Sequence, residues 1–132
     1  MSLAPSDCLA ILQLATRADA CATARDADSY IALFTDDAVM DGDQGTVRGR
    51  DALRTAVARV WAAEPPGTLH LTLNALIDET STEPAVTSLL LLVTPGHPMV
   101  LAGCADIRQV VQQTATGWKI RSRTIHMQPL AP

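Results

Sequence analysis

Asp106 and His70 are the residues of this chain whose types and settings best suit acid–base chemistry. Asp106 lies within residues 100–107, where its flanking positions are apolar. A carboxylate among apolar strand residues loses hydration, which favours its protonated form and suits a general acid or base near neutral pH. The alternative is a structural aspartate at the edge of a sheet, in a salt bridge with Arg108 or Arg123. The residues alone leave both roles open.

His70 is the second candidate because an imidazole titrates near neutrality and can take a proton from a hydroxyl or from a carbon next to a carbonyl. It alternates with Leu69, Leu71 and Leu73, so it lies on the strand face opposite to the leucines. If the leucine face meets the helices, His70 points to solvent or to a partner. The pattern therefore favours the outward placement.

Other polar residues have both a structural and a functional interpretation. Cys104 shares a strand face with Asp106, and we expect a buried neutral thiol because no activating base is evident. Asp41 and Asp43 flank a glycine, which is typical of turn chemistry. His97 lies between glycine and proline, as a solvated turn residue does.

The last predicted strand carries several charged side chains. His126 shares a predicted face with Trp118 and Ile120, so it can reach a cavity or a dimer seam. The basic residues of this strand fall on one predicted face, either as a solvated ion-pair surface or as an anion clamp: Lys119, Arg121 and Arg123.

Composition restricts the class of protein. The chain has 132 residues, which predicts one domain spanning 1–132. Apolar residues make up 48% and aromatic residues 3%, so the core must be aliphatic and rich in alanine. The net charge is −4 and the pI is about 5.1, which disfavours nucleic-acid partners because phosphate binding needs a basic surface.

Sequence features also bear on the compartment. No run of about 18 apolar residues is present, so we expect no membrane partner. The first seven residues lack the basic and apolar parts of a signal peptide. Three widely spaced cysteines show no metal-type spacing with a histidine. We therefore expect reduced thiols, no metal site and a cytoplasmic location.

The hydrophobic period changes from helical to alternating near Gly67. The first half predicts helices with caps at Ser6–Asp7, at Asp26–Asp28 and at Gly49–Asp51. The second half predicts an antiparallel meander. Helices over 8–24, 28–34 and 49–63 with strands over 38–40, 69–77, 85–94, 99–113 and 118–127 give an α+β fold with helices packed on one sheet face.

The motifs in this order resemble the SnoaL-like family of the nuclear-transport-factor-like superfamily. The resemblance rests on residues 33–39, the helix start at 49–51, His70 followed by Asn74, and the hairpin 117–120 followed by Arg123. It implies a curved, mainly antiparallel sheet with three helices on its concave face, forming a cone around an apolar pocket. It also implies a lyase, isomerase or cyclase that needs no cofactor and acts on an apolar small molecule.

The resemblance also assigns site residues. Asp106 falls where ketosteroid isomerase relatives carry a pocket carboxylic acid and SnoaL cyclases a catalytic aspartate. His70 falls where scytalone dehydratase relatives carry a pocket histidine. We expect Asp106 in an apolar cavity closed by helices one and three. The expected substrate-binding residues are Met40, Trp61, Tyr30, Asn74, Cys104, Arg123 and His126.

One departure from the family pattern favours a different function. Relatives place a tyrosine and an aspartate late on helix one, but the matching positions fall near Ala18, Ala22 and Thr23. A non-catalytic ligand-binding or dimerisation module is therefore the alternative. Residues 89–93 are apolar on both strand faces, so a homodimer is expected to cover the face that the helices leave free.

Overall fold

Three helices pack on a curved, mainly antiparallel sheet that forms a cone, as predicted, but the sheet has six strands where five were predicted. A computed structural model describes residues 2–129. Its elements are α1 (Pro5–Ala24), α2 (Ala27–Ala32), β1 (Phe34–Gly42), β2 (Gly45–Arg48), α3 (Arg50–Ala63), β3 (Leu69–Ile77), β4 (Ala85–Thr94), β5 (Val100–Thr114) and β6 (Gly117–Met127). Within the described residues, no helix is both long enough and apolar enough to cross a membrane.

The helices begin and end at residues that satisfy their free backbone groups. α1 starts at Pro5, where a missing N–H costs nothing, and stops at Arg25 in the left-handed conformation, φ 57°. The Asp26 carboxylate accepts a bond from the Ser29 N–H at 3.1 Å and caps α2. α2 ends earlier than predicted because the Leu33 carbonyl accepts a bond from β6 instead of continuing the helix.

The sheet has the strand order β2-β1-β6-β5-β4-β3. Every neighbouring pair is antiparallel except β1 with β6. β1 is longer than the predicted strand over 38–40, because its pairing with β6 begins at Phe34. β2 was not predicted. It follows a tight turn after Gly42 and returns along β1 to Arg48.

The two faces of β3 are the reverse of what the leucine pattern favoured. Leu71 and Leu73 are 40% and 43% exposed, whereas His70 is 9% exposed and lies on the inner face. The reason is that α1 supplies polar partners for the inner face. On this face the Thr72 hydroxyl donates to the Asp19 carboxylate of α1. The Thr23 hydroxyl of α1 also holds the His70 backbone, accepting its N–H at 2.8 Å and donating to its carbonyl at 3.2 Å.

An irregularity in the pairing of β5 with β6 decides which side chains of β6 face inward. Val110 pairs with Ser122, but Val111 pairs with Ile120, so Arg121 is an extra residue. A bulge of this kind breaks the alternation of faces. Ile120 and Arg123 are consequently both buried, although strict alternation places them on opposite faces.

Candidate functional site

A buried salt bridge joins the first helix to the last strand. Asp19 Oδ1 of α1 lies 2.8 Å from Arg123 Nη2 of β6, and both side chains are 3% exposed. Asp19 also accepts a bond from the Thr72 hydroxyl through its second oxygen. Arg123 donates through Nη1 to the Gln109 side-chain oxygen. Four elements therefore meet in one buried polar network.

The charge of Arg123 is retained in this interior. Burial alone would lower the pKa of Arg123, but the charge of Tyr30 in its ionised form and the charge of Asp19 outweigh burial and raise that pKa above its ordinary value. The cation is thus always available to hold Asp19. Two buried donors of the network, Gln109 Nε2 and Arg123 Nε, have no acceptor among the described residues, and each such group costs about 1–3 kcal/mol.

Tyr30 is the aromatic centre of the interior. Its ring packs 5.0 Å from Phe34 and edge-on at 5.2 Å from Trp61, measured between centroids. Its hydroxyl points to Met40 Sδ at 3.9 Å. Burial raises the pKa of Tyr30, and the nearby Arg123 cation opposes that shift only in part. Tyr30 is therefore a neutral hydroxyl donor.

His70 belongs to a second buried polar group, formed where the ends of α1 and α3 meet the start of β3. Its Nε2 lies 2.9 Å from Glu64 Oε1, and the side chains of His70 and Glu64 are 7% and 12% exposed. Arg25 Nη2 lies 3.2 Å from the same Glu64 oxygen. The guanidinium also donates to the Ala22 carbonyl at 2.7 Å.

The contact with Glu64 defines what His70 can do chemically. A carboxylate accepts an N–H, so this contact favours the tautomer that carries its proton on Nε2. Nδ1 is then the ring nitrogen with a free lone pair, which can take a proton from a bound molecule. Glu64 fixes the ring orientation and stabilises the imidazolium that results.

The predicted burial of Asp106 was wrong. Asp106 is exposed on the outer face, where it pairs with Leu89 of β4 and His126 of β6. Its carboxylate accepts a bond from the Gln128 amide at 3.2 Å. It borders an open groove of about 320 Å³ that also contains Arg108. Asp106 therefore keeps its hydration, because every second residue of β5 faces outward and Asp106 is one of these.

Three of the expected substrate-binding residues also lie outside the interior. His126 is on the outer face, where its Nδ1 is 3.2 Å from Asp43 Oδ1, because the bulge in β6 shifts the alternation. Cys104 shares the outer face with Asp106 and is half-buried. Asn74 is exposed in the irregular part of β3, with a left-handed φ of 54°.

The other expected substrate-binding residues lie in the interior. Met40, Trp61, Tyr30 and Arg123 are all buried between helices and sheet. Their contact with a bound molecule stays a prediction. Lys119, Arg121 and Arg123 do not share one face as predicted, because Arg123 points inward to Asp19, while Arg121 pairs with Glu83 at the surface.

Sequence reasoning missed Asp19, Glu64 and Gln109. Asp19 falls within the apolar stripe of α1, between Ala15 and Ala22, and a charge in such a stripe is a usable signal. Gln109 similarly occupies an inward position of β5 whose neighbours two residues away are apolar. Glu64 gives no such signal, because it follows the last residue of α3.

The SnoaL-like domain family matches residues 5–124 of the chain. No curated protein matches it. Among solved structures, a protein of unknown function with a cystatin-like fold from Nostoc punctiforme is similar over 100% of this chain and 98% of its own. Its TM-score is 0.88 and its sequence identity is 27%.

Two more distant structures share the fold. A ketosteroid isomerase-like protein from Erwinia carotovora atroseptica has 16% identity and a TM-score of 0.76, with 96% of this chain and 100% of that chain covered. A protein from Catenulispora acidiphila, solved in complex with S-DNPA, has 20% identity and a TM-score of 0.76, with 90% and 92% covered.

Proposed function

The chain belongs to the SnoaL-like domain family, and on this basis we propose that it binds an apolar small molecule between helices and sheet and catalyses proton transfer on it. The observation that carries the proposal is the buried contact of 2.9 Å between His70 Nε2 and Glu64 Oε1 on the inner face. A carboxylate that orients a histidine is a recurrent device for general-base catalysis.

His70 is the proton carrier in this reaction. Its Nδ1 takes a proton from a carbon next to a carbonyl, or from a hydroxyl, and Glu64 stabilises the imidazolium. The same proton then returns to a different atom of the substrate, which gives an isomer, or to a departing hydroxyl, which releases water. Neither outcome requires an oxidant or a cofactor.

The polar network around Arg123 supports binding of a molecule with an acceptor oxygen. Gln109 Nε2 and Arg123 Nε are buried donors without an acceptor among the described residues. A ligand oxygen placed beside them, after a shift of neighbouring side chains, removes that cost. Because Asp19 already balances the charge of Arg123, a neutral oxygen suits the site better than an anion.

A homodimer is also part of the proposal. The outer face of β3 exposes Leu71, Leu73 and Leu76 by 40%, 43% and 65%. A contiguous apolar surface of this kind marks an interaction site. If a second copy covers this face, the helices and His70 of both subunits lie on the side of the sheet that faces away from the interface.

A non-catalytic binding module is the second candidate. The packing of Tyr30 against Phe34 and Trp61 favours it, because these contacts can stabilise the fold without taking part in any reaction. A panel of apolar ketones incubated in heavy water distinguishes the two. We expect at least one ketone that raises the unfolding temperature also to exchange its α-protons, as followed by NMR. Ketones that bind without any exchange would indicate the binding module instead.

A further inference from the structure

Arg25, Glu64 and His70 form a chain of three ionisable groups in which Glu64 is the shared member. The same Glu64 oxygen, Oε1, lies 3.2 Å from Arg25 Nη2 and 2.9 Å from His70 Nε2. Arg25 is the most exposed of the three, at 31%, and His70 is the least, at 7%. Arg25 therefore lies on the solvent side of the pair that the proposed reaction uses.

The charges of the group balance only when His70 is neutral. Arg25 contributes one positive charge and Glu64 one negative charge, so a proton on His70 leaves one uncompensated positive charge at a nearly buried position. Burying an unpaired charge is costly. Without the charge of Arg25, a protonated His70 would balance the negative charge of Glu64, and the protonated form of His70 would be favoured.

Within the described residues, no further charged side chain forms a hydrogen bond or ion pair with Arg25, Glu64 or His70. α1 also carries Asp19, but it is already bound to Arg123 and reaches β3 only through Thr72. β4, the strand beside His70, presents the apolar Leu92 opposite it. The charge on the His70 ring thus depends mainly on Glu64 and Arg25.

We infer that Arg25 is a positioning residue that keeps His70 in its neutral, proton-accepting form by occupying Glu64. This inference rests on the proposed role of His70 as a base. In it, Arg25 sets the pH range in which His70 is neutral and can accept a proton. Protonation of a substrate-free His70 would block the reaction, and Arg25 moves that block to lower pH.

The test is an NMR titration of the His70 ring in the full chain. The chain has three histidines, so substitution of the other two, at His97 and His126, assigns the signals. In Arg25→Gln we expect the ratio of protonated to neutral His70 at a fixed pH to rise about tenfold, because the substitution removes a like charge that lies a few ångströms from the imidazolium. Arg25→Lys, which keeps the charge, should restore the wild-type ratio.

Control variants separate charge from packing. Arg17→Gln removes the same charge from the exposed face of α1, where Arg17 bonds only to Gln13, and should leave the ratio unchanged. Glu64→Gln should lower it. An unchanged ratio in Arg25→Gln, or equal changes in Arg25→Gln and Arg25→Lys, would overturn the inference. Because the titration needs no substrate, its outcome is independent of whether the chain exchanges ketone protons.

Discussion

Asp19 and Arg123 hold the first helix against the last strand through a salt bridge of 2.8 Å that spans 104 positions of the chain. Both side chains are nearly inaccessible to water. Removal of one partner leaves the other charge buried and unpaired, which costs far more than the pair itself contributes. A substitution of Asp19 or Arg123 alone is therefore expected to cost more stability than replacement of both residues together.

Asp19→Asn should destabilise the protein strongly. Loss of the carboxylate leaves the Arg123 cation without its partner, and we expect a decrease of about 3–5 kcal/mol in the free energy of unfolding measured by urea denaturation. Asp28→Asn is the matched control, since Asp28 pairs with Arg54 at the surface and its loss should change little. Equal decreases in the free energy of unfolding for the two substitutions would show that the buried salt bridge contributes no more to stability than an exposed one.

Tyr30 should make the fold sensitive to high pH. Burial raises the pKa of Tyr30 above 10.0 in the folded state, so the unfolded chain loses this proton first as pH rises. The contribution of the neutral Tyr30 to the free energy of unfolding is therefore fully present below about pH 10 and is lost as the pH rises further. Tyr30 is the only tyrosine of the chain, so tyrosinate absorbance reports it alone.

Tyrosinate should accordingly appear together with unfolding, as monitored by circular dichroism in the same titration. Tyr30→Phe should flatten the alkaline loss of stability. Ionisation near pH 10 with the fold intact would contradict the buried position of the hydroxyl.

Leu73→Asp should convert the proposed dimer into monomers. Leu73 lies near the middle of β3 on its outer face, opposite Leu89, so a charge there would be buried in the proposed interface without a partner. Light scattering at micromolar concentration measures the mass directly. Leu9→Asp, at an exposed position of α1, should leave the dimer intact, and a monomeric wild-type chain would refute the dimer.

The sequence predicted the elements more reliably than the faces of the strands. α3 follows from its helical periodicity, with Gly49 and Pro65 marking its limits well, and β4 follows from its continuous apolar run. The face of His70 could not be predicted by alternation, because its burial depends on Thr23 and Glu64 from distant segments. Local pattern contains no information on which face such partners will reach.

The inward position of Arg123 depends on the bulge in β6, where Arg121 is the extra residue. An inserted residue of this kind leaves no trace in a period-two pattern, so the sequence placed Arg123 with Lys119 and Arg121 on one face. Asp106 was predicted to face inward but faces outward. Its apolar neighbours suggested burial, but consecutive residues of a strand face opposite sides, and the buried neighbours are Ala105 and Ile107.

The most direct test of the account is the rate of α-proton exchange of a bound apolar ketone in heavy water, compared between His70→Gln and Asp106→Asn. We predict that His70→Gln lowers the rate by about 100-fold or more, because general-base catalysis contributes at least that factor. Asp106→Asn should exchange at the wild-type rate, since Asp106 is exposed on the outer face. Loss of exchange in Asp106→Asn with full activity in His70→Gln would contradict the assignment of the site to the inner face.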